Sequence, residues 1–189
     1  MVKNDSGFSL IELLAAIVIF GILMGTAVIT VSSVLNKQRN KTYTEDAIRL
    51  GSTMDYKLRS DNKMIVPANG QCIAMDLAYL DNNSFEKGPY GNEYDPYKSF
   101  VVAKRDTNED DDYIFYVRLL EKMDSGGYRG INLVDYNLLF QDNNKVVNLS
   151  NAEELVNFKG RADDLKAFLL NVNEEISISC SSVNIYVSE

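Results

Sequence analysis

The chain has 189 residues, 46% of them hydrophobic, and a formal net charge of −8. That length accommodates one membrane or filament segment plus one modest globular domain, and the acidic balance argues against strong nucleic-acid binding. Histidine is absent and only two cysteines occur, so Ser-His-Asp and Cys-His catalysis, histidine metal sites and a cysteine-only zinc site are all excluded.

Residues 1–7, MVKNDSG, form a short polar start. Residues 8–35, FSLIELLAAIVIFGILMGTAVITVSSVL, carry much of the apolar weight, and no charged residue lies between Leu13 and Asn36. Such a run is long enough to span a bilayer. A secretory signal peptide would need a basic start, a shorter apolar core and a small-residue cleavage site; the patch from Thr26 to Ser33 imitates only the last of these. A plain membrane anchor fits the length. Neither reading explains Glu12, because a carboxylate in an apolar helix costs up to a few kcal/mol at the bilayer centre. Glu12 is either hydrated at headgroup depth or held for a partner charge.

The run Gly7-Phe8-Ser9-Leu10-Ile11-Glu12-Leu13-Leu14 resembles the type IV prepilin signal, a short polar leader ending in Gly and then Phe-(Ser/Thr)-Leu-Ile-Glu. It covers about the first fifth of the chain. The resemblance implies that a prepilin peptidase cleaves between Gly7 and Phe8 and methylates the new Phe8 amine. It further implies that Glu12 pairs with the Phe8 amine of a neighbouring subunit during assembly. A side-chain-free Gly7 lets another backbone approach closely. Uniting an ammonium and a carboxylate in a filament core relieves the cost of each in lipid.

Gly21 and Gly25 form a G-x-x-x-G pair. It serves as a helix-dimer face, as a local weakening of the helix, or as chance spacing. Lys37, Arg39 and Lys41 follow the apolar run, against Lys3 before it. The positive-inside rule would place that basic trio in the cytoplasm, opposite to the orientation that the resemblance implies. Residues 36–61 continue helically, with Tyr43, Ala47, Leu50, Met54 and Leu58 on one face. Gly51 interrupts the pattern, and Ser60-Asp61-Asn62 supplies a stop.

Residues 62–189 read as one extracytoplasmic globular domain. Met64 to Pro67 and Gln71 to Leu80 begin a series of short apolar pieces. Tyr97 to Lys104, Tyr113 to Leu120 and Tyr128 to Val134 are β-rich by residue type, and Ser125-Gly126-Gly127 suggests a hairpin between the last two. Asn151 to Phe158 and Arg161 to Leu170 have helical spacing, while Ile176 to Ser179 and Val183 to Val187 read as terminal strands. The expected fold is α+β, a long N-terminal helix packed on a small antiparallel sheet, which resembles the pilin architecture.

Lys87-Gly88-Pro89-Tyr90-Gly91-Asn92-Glu93-Tyr94 resembles the D-P-W-G-N-P-Y loop of major pseudopilins. Lys-Gly replaces Asp before Pro89, Tyr90 stands for Trp and Glu93 for Pro; a generic turn is the equal reading. Asp106, Asn108, Asp110 and Asp112 have the alternating spacing of calcium ligands, but no sharp-turn Gly and no terminal bidentate Glu follow, so a solvated acidic turn is the plainer reading. Apart from calcium, no cofactor is expected. Cys72 and Cys180 are an even pair in a domain expected outside the membrane, which points to a disulfide; two buried free thiols are the alternative.

The expected function is a structural subunit of a type IV pilus, competence pilus or type II secretion pseudopilus, not an enzyme. Its partners would be copies of itself and other pilins, a prepilin peptidase, a pilus assembly platform, and the membrane before assembly. It would lie in the cytoplasmic membrane as a single-pass protein, then in a cell-surface filament. The alternative is a membrane-anchored extracytoplasmic binding domain that does not polymerise.

Overall fold

The computed structural model describes residues 9–61, 64, 67–80, 85, 87–105, 113–141, 145–149, 166, 169, 178 and 180–186; the side chains of residues 26–30 lie outside the description. The chain divides into two compact units, residues 1–38 and 39–189. The first helix, α1 (Leu10–Ser60), contributes to both.

In the first unit α1 is apolar around its circumference. The consecutive residues Ile17, Val18, Ile19 and Phe20 are all more than half exposed, and at 100° per residue they point in every direction. Among the described residues no helix is long and apolar enough to cross a membrane; the apolar run read from the sequence includes residues 26–30, whose side chains are not among those described.

In the second unit α1 is one-sided. Tyr43, Ala47, Leu50 and Met54 are fully buried and Leu58 nearly so. They meet Ile73, Met75, Val101, Ala103, Val117 and Leu119 on the facing sheet. Burying a Leu or Met side chain contributes about 1.5–3 kcal/mol relative to exposure, so this stripe fixes the helix to the sheet. Gly51 has a packing reason: a Cβ there would lie 2.5 Å from Cδ2 of Tyr136. The Tyr136 ring therefore rests against the helix backbone, with its hydroxyl 2.8 Å from Ser52 Oγ.

The other elements are β1 (Cys72–Asp76), α2 (Leu77–Leu80), β2 (Phe100–Arg105), β3 (Tyr113–Lys122), β4 (Tyr128–Asp135), α3 (Tyr136–Leu139), β5 (Val146–Leu149) and β6 (Val183–Tyr186). Among the described residues six strands form one sheet in the order β5-β4-β3-β2-β1-β6. The fold is α+β as expected, with one difference: the sheet is mixed, because β6 runs parallel to β1. A parallel pair needs a long crossover, which the chain supplies by returning to β1 only after β2 to β5.

Alternation along the strands assigns two faces. Ile73, Met75, Val101 and Ala103 point to α1. Cys72, Ala74, Phe100 and Val102 point the other way, into a second cluster with Leu169, Ile178 and Val183. Both faces of β1 are thus covered, and all five of its residues are buried.

Strand β2 begins at Phe100, three residues later than the β-rich stretch from Tyr97. The cause is local: Asp95 Oδ1 accepts from the N–H groups of Tyr97 and Lys98, at 3.0 and 2.9 Å, which closes a turn. The expected hairpin joins β3 to β4, with Met123 N–H donating to Gly127 O at 2.8 Å and Gly126 at φ +92°. Of the two expected C-terminal helices, only Lys166 and Leu169 are described, and both are helical. Of the expected strand 176–179, only Ile178 is described; it is buried but lies in no strand.

Candidate functional site

The described chain starts at a helix cap. Ser9 N–H donates to Glu12 Oε2 at 2.9 Å, and Glu12 N–H donates to Ser9 Oγ at 3.3 Å. This reciprocal pair is a capping box, S-x-x-E, in which each side chain satisfies a backbone donor that the helix cannot. The carboxylate also sits at the positive end of the helix dipole. Glu12 is therefore a helix-start residue within its own chain, which lowers the cost of carrying it beside an apolar run. The S-x-x-E spacing of Ser9 and Glu12 is the sequence signal for this cap. Gly7 and Phe8 lie outside the described residues. At Gly21 and Gly25 an added Cβ would meet nothing within 4 Å among the described residues.

The loop from Lys87 to Tyr94 is docked rather than a free turn. Its anchor is Glu121 on β3, fully buried. Glu121 Oε1 accepts from Tyr90 N–H at 3.1 Å and Asn92 N–H at 3.0 Å, and Oε2 accepts from the Tyr43 hydroxyl on α1. Burial, and then Glu121, push the Tyr43 hydroxyl well above the usual phenol range. Gly88 leaves room for that carboxylate, because a Cβ at position 88 would overlap it. Tyr94 donates from its hydroxyl to Asp46 Oδ2 at 2.7 Å, and Asp46 in turn pairs with Arg49 at 3.2 Å.

Above this buried anchor the Tyr90 ring carries two cations. The Arg39 guanidinium lies 4.2 Å from the ring centroid and that of Arg129 lies 5.0 Å from it. An open groove of about 570 Å³ runs on from the loop to the β3–β4 turn. Lys87, Glu93, Asp95, Lys122 and Asp124 line it, and such interleaved charge selects no single ligand chemistry.

Beneath the groove Asp95 Oδ2 accepts from the Tyr128 hydroxyl at 3.1 Å, and Lys98 Nζ donates to the same hydroxyl at 3.0 Å. Burial, and then Asp95, push Tyr128 up to about 12. Burial holds Arg118 down at about 10.

Cys72 and Cys180 are joined by a disulfide with Cα atoms 5.7 Å apart. Asp106, Asn108, Asp110 and Asp112 lie outside the described residues. Among the described residues no group of three or more Cys, Asp or Glu is placed to hold a metal ion.

The family described as the prokaryotic N-terminal methylation motif matches residues 2–28. No curated protein and no solved structure matches the chain.

Proposed function

From the premise that this is a type IV prepilin-like protein, we propose that it is a structural subunit of a type IV pilus, competence pilus or type II secretion pseudopilus, and not an enzyme. The observation that carries the reading is the methylation motif at residues 2–28. Two structural features support it. A helix apolar on every side needs lipid or other helices around it, and both are what a subunit meets before and after assembly. The cap at Ser9 and Glu12 starts that helix directly after the proposed cleavage point.

In this reading residues 1–7 are the leader and residues 8–35 the membrane and filament-core segment. Residues 36–61 continue the helix, and residues 62–189 form the extracytoplasmic domain. The subunit waits in the cytoplasmic membrane as a single-pass protein. A prepilin peptidase cleaves between Gly7 and Phe8 and methylates Phe8. On the assembly platform Glu12 then exchanges the Ser9 N–H for the Phe8 amine of a neighbouring copy. That amine is a charged donor, so the exchange gains a stronger bond while neutralising two charges in an apolar core. Gly21 and Gly25 allow close approach by neighbouring helices or local loosening of α1.

The test is intact-mass and N-terminal analysis after co-expression with a prepilin peptidase. A chain beginning at Phe8 and heavier by one methyl group is expected, with Gly7→Arg left uncleaved. Glu12→Val is expected to insert and be processed but to form far fewer filaments. A chain that still begins at Met1, where a known prepilin is processed, would overturn the proposal in favour of a membrane-anchored domain that does not polymerise.

A further inference from the structure

The basic trio after the apolar run finds no use in the assembly mechanism, and its place opposes the positive-inside rule. The structure divides its two members in the globular unit. Lys41 is paired with Glu45 at 3.4 Å. Arg39 instead lies on the Tyr90 ring, where Arg129 joins it from β4.

Two guanidiniums on one ring repel each other, and the ring face offsets only part of that. Arg49 and Arg59, like Lys41, each have a carboxylate partner. Among the described residues neither Arg39 nor Arg129 has one. Glu121, which accepts from the N–H of Tyr90 itself, is filled by Tyr43 and two backbone donors. Among the described residues Arg129 Nη2 donates to Asn40 Oδ1 at 3.4 Å, and its Nε is buried with no hydrogen-bond partner there. Glu121 is the cross-strand register partner of Arg129, but among the described residues no carboxylate forms an ion pair with either arginine.

We propose that Arg39 and Arg129, held on Tyr90, bind the phosphate of an anionic phospholipid headgroup at the extracytoplasmic surface of the membrane. Guanidinium forks match phosphate oxygens in pairs. Arg39 follows Leu35, the end of the apolar run, by four residues, which sets it at headgroup depth when that run is in the bilayer. The site holds the globular unit down on the membrane before assembly and gives the misplaced positive charge a counter-ion. It rests on the membrane reading above.

The experiment uses the full chain in mixed micelles of a neutral detergent with equal phosphatidylglycerol and phosphatidylcholine, and native mass spectrometry to count retained lipid. Flotation with pure phosphatidylcholine vesicles reports insertion separately. Wild type is expected to retain phosphatidylglycerol preferentially. Arg39→Gln with Arg129→Gln is expected to lose about twenty-five-fold of that preference, on roughly five-fold per arginine. Arg39→Lys with Arg129→Lys keeps the charges, so it separates a lost site from a lost fold and is expected to retain most of the preference. Lys41→Gln is expected to change little.

Equal retention of both lipids by wild type, or an unchanged preference in the glutamine variant, overturns the proposal. Displacement of phosphatidylglycerol by millimolar inorganic phosphate overturns the lipid assignment in favour of a free anion. Arginine-dependent pairing of two copies, with no bound lipid, overturns it in favour of a contact between subunits. Failure to float removes the membrane reading, and the proposal with it.

Discussion

Glu121→Ala should be among the most damaging single changes in the globular unit. The substitution strips an acceptor from the Tyr43 hydroxyl and from the N–H groups of Tyr90 and Asn92. Each buried donor left unsatisfied costs roughly 1–3 kcal/mol, and water entering at the loop edge recovers part of it. The expected loss is about 3–5 kcal/mol, a large share of the roughly 5–15 kcal/mol of a typical domain. Glu121→Gln keeps one oxygen for the two backbone donors, and its new amide faces a hydroxyl able to turn and accept. Its expected loss is about 1–2 kcal/mol. The measurement is urea unfolding of the full chain in detergent micelles, followed by tyrosine circular dichroism because tryptophan is absent. Protease nicking within residues 87–96 reports the loop alone. An alanine variant within about 0.5 kcal/mol of wild type, or a glutamine variant as damaged as alanine, would refute the loop anchor.

Gly130→Ala should cost about 2–4 kcal/mol, because its φ is +152° and the new Cβ meets the backbone oxygen of Leu119. Gly51→Ala should cost only about 1–2 kcal/mol, since the obstacle is the movable Tyr136 ring; equal unfolding midpoints for the two would contradict this. Reducing the Cys72–Cys180 disulfide should lower stability by about 4–5 kcal/mol on the chain-entropy model, and thiol counting should find no free thiol before reduction and two after it. The raised Tyr128 value means that the fold favours the neutral phenol. Its stabilisation is full below pH 10, the ordinary phenol value, and is lost as pH rises to about 12. Absorbance at 295 nm should show that ionisation missing from Tyr128→Phe.

The stripe from Tyr43 to Leu58 was legible because a helix packed on one side writes its period into the chain, and the buried residues are those at that spacing. The hairpin was equally plain, since Ser125-Gly126-Gly127 supplies the positive φ that the turn needs. Glu121 was not legible. At the end of YIFYVRLLEK it looks like a solvated strand terminus, and its partners are two backbone groups about thirty residues earlier and the Tyr43 hydroxyl on α1, none of them near it in sequence. Arg118 was hidden for the same reason, a charge buried by tertiary surroundings rather than by its neighbours in sequence. The parallel pairing of β6 depends on the path of the chain between distant strands, which strand propensity cannot convey. In the N-terminal motif the assembly role of Glu12 was the more visible reading, and its cap with Ser9 lay in the same four letters.

The disulfide also sets a mechanical route through the domain. Cys72 opens β1 and is in register with Val183, which opens β6, and the bond to Cys180 ties the two strand entrances together. A pull between α1 and the last strand passes from residue 72 to residue 180 without entering the 108-residue separation between them. Strands β2 to β5 lie within the bypassed loop, so the covalent line of tension does not run through them and load reaches them only through packing and strand pairing.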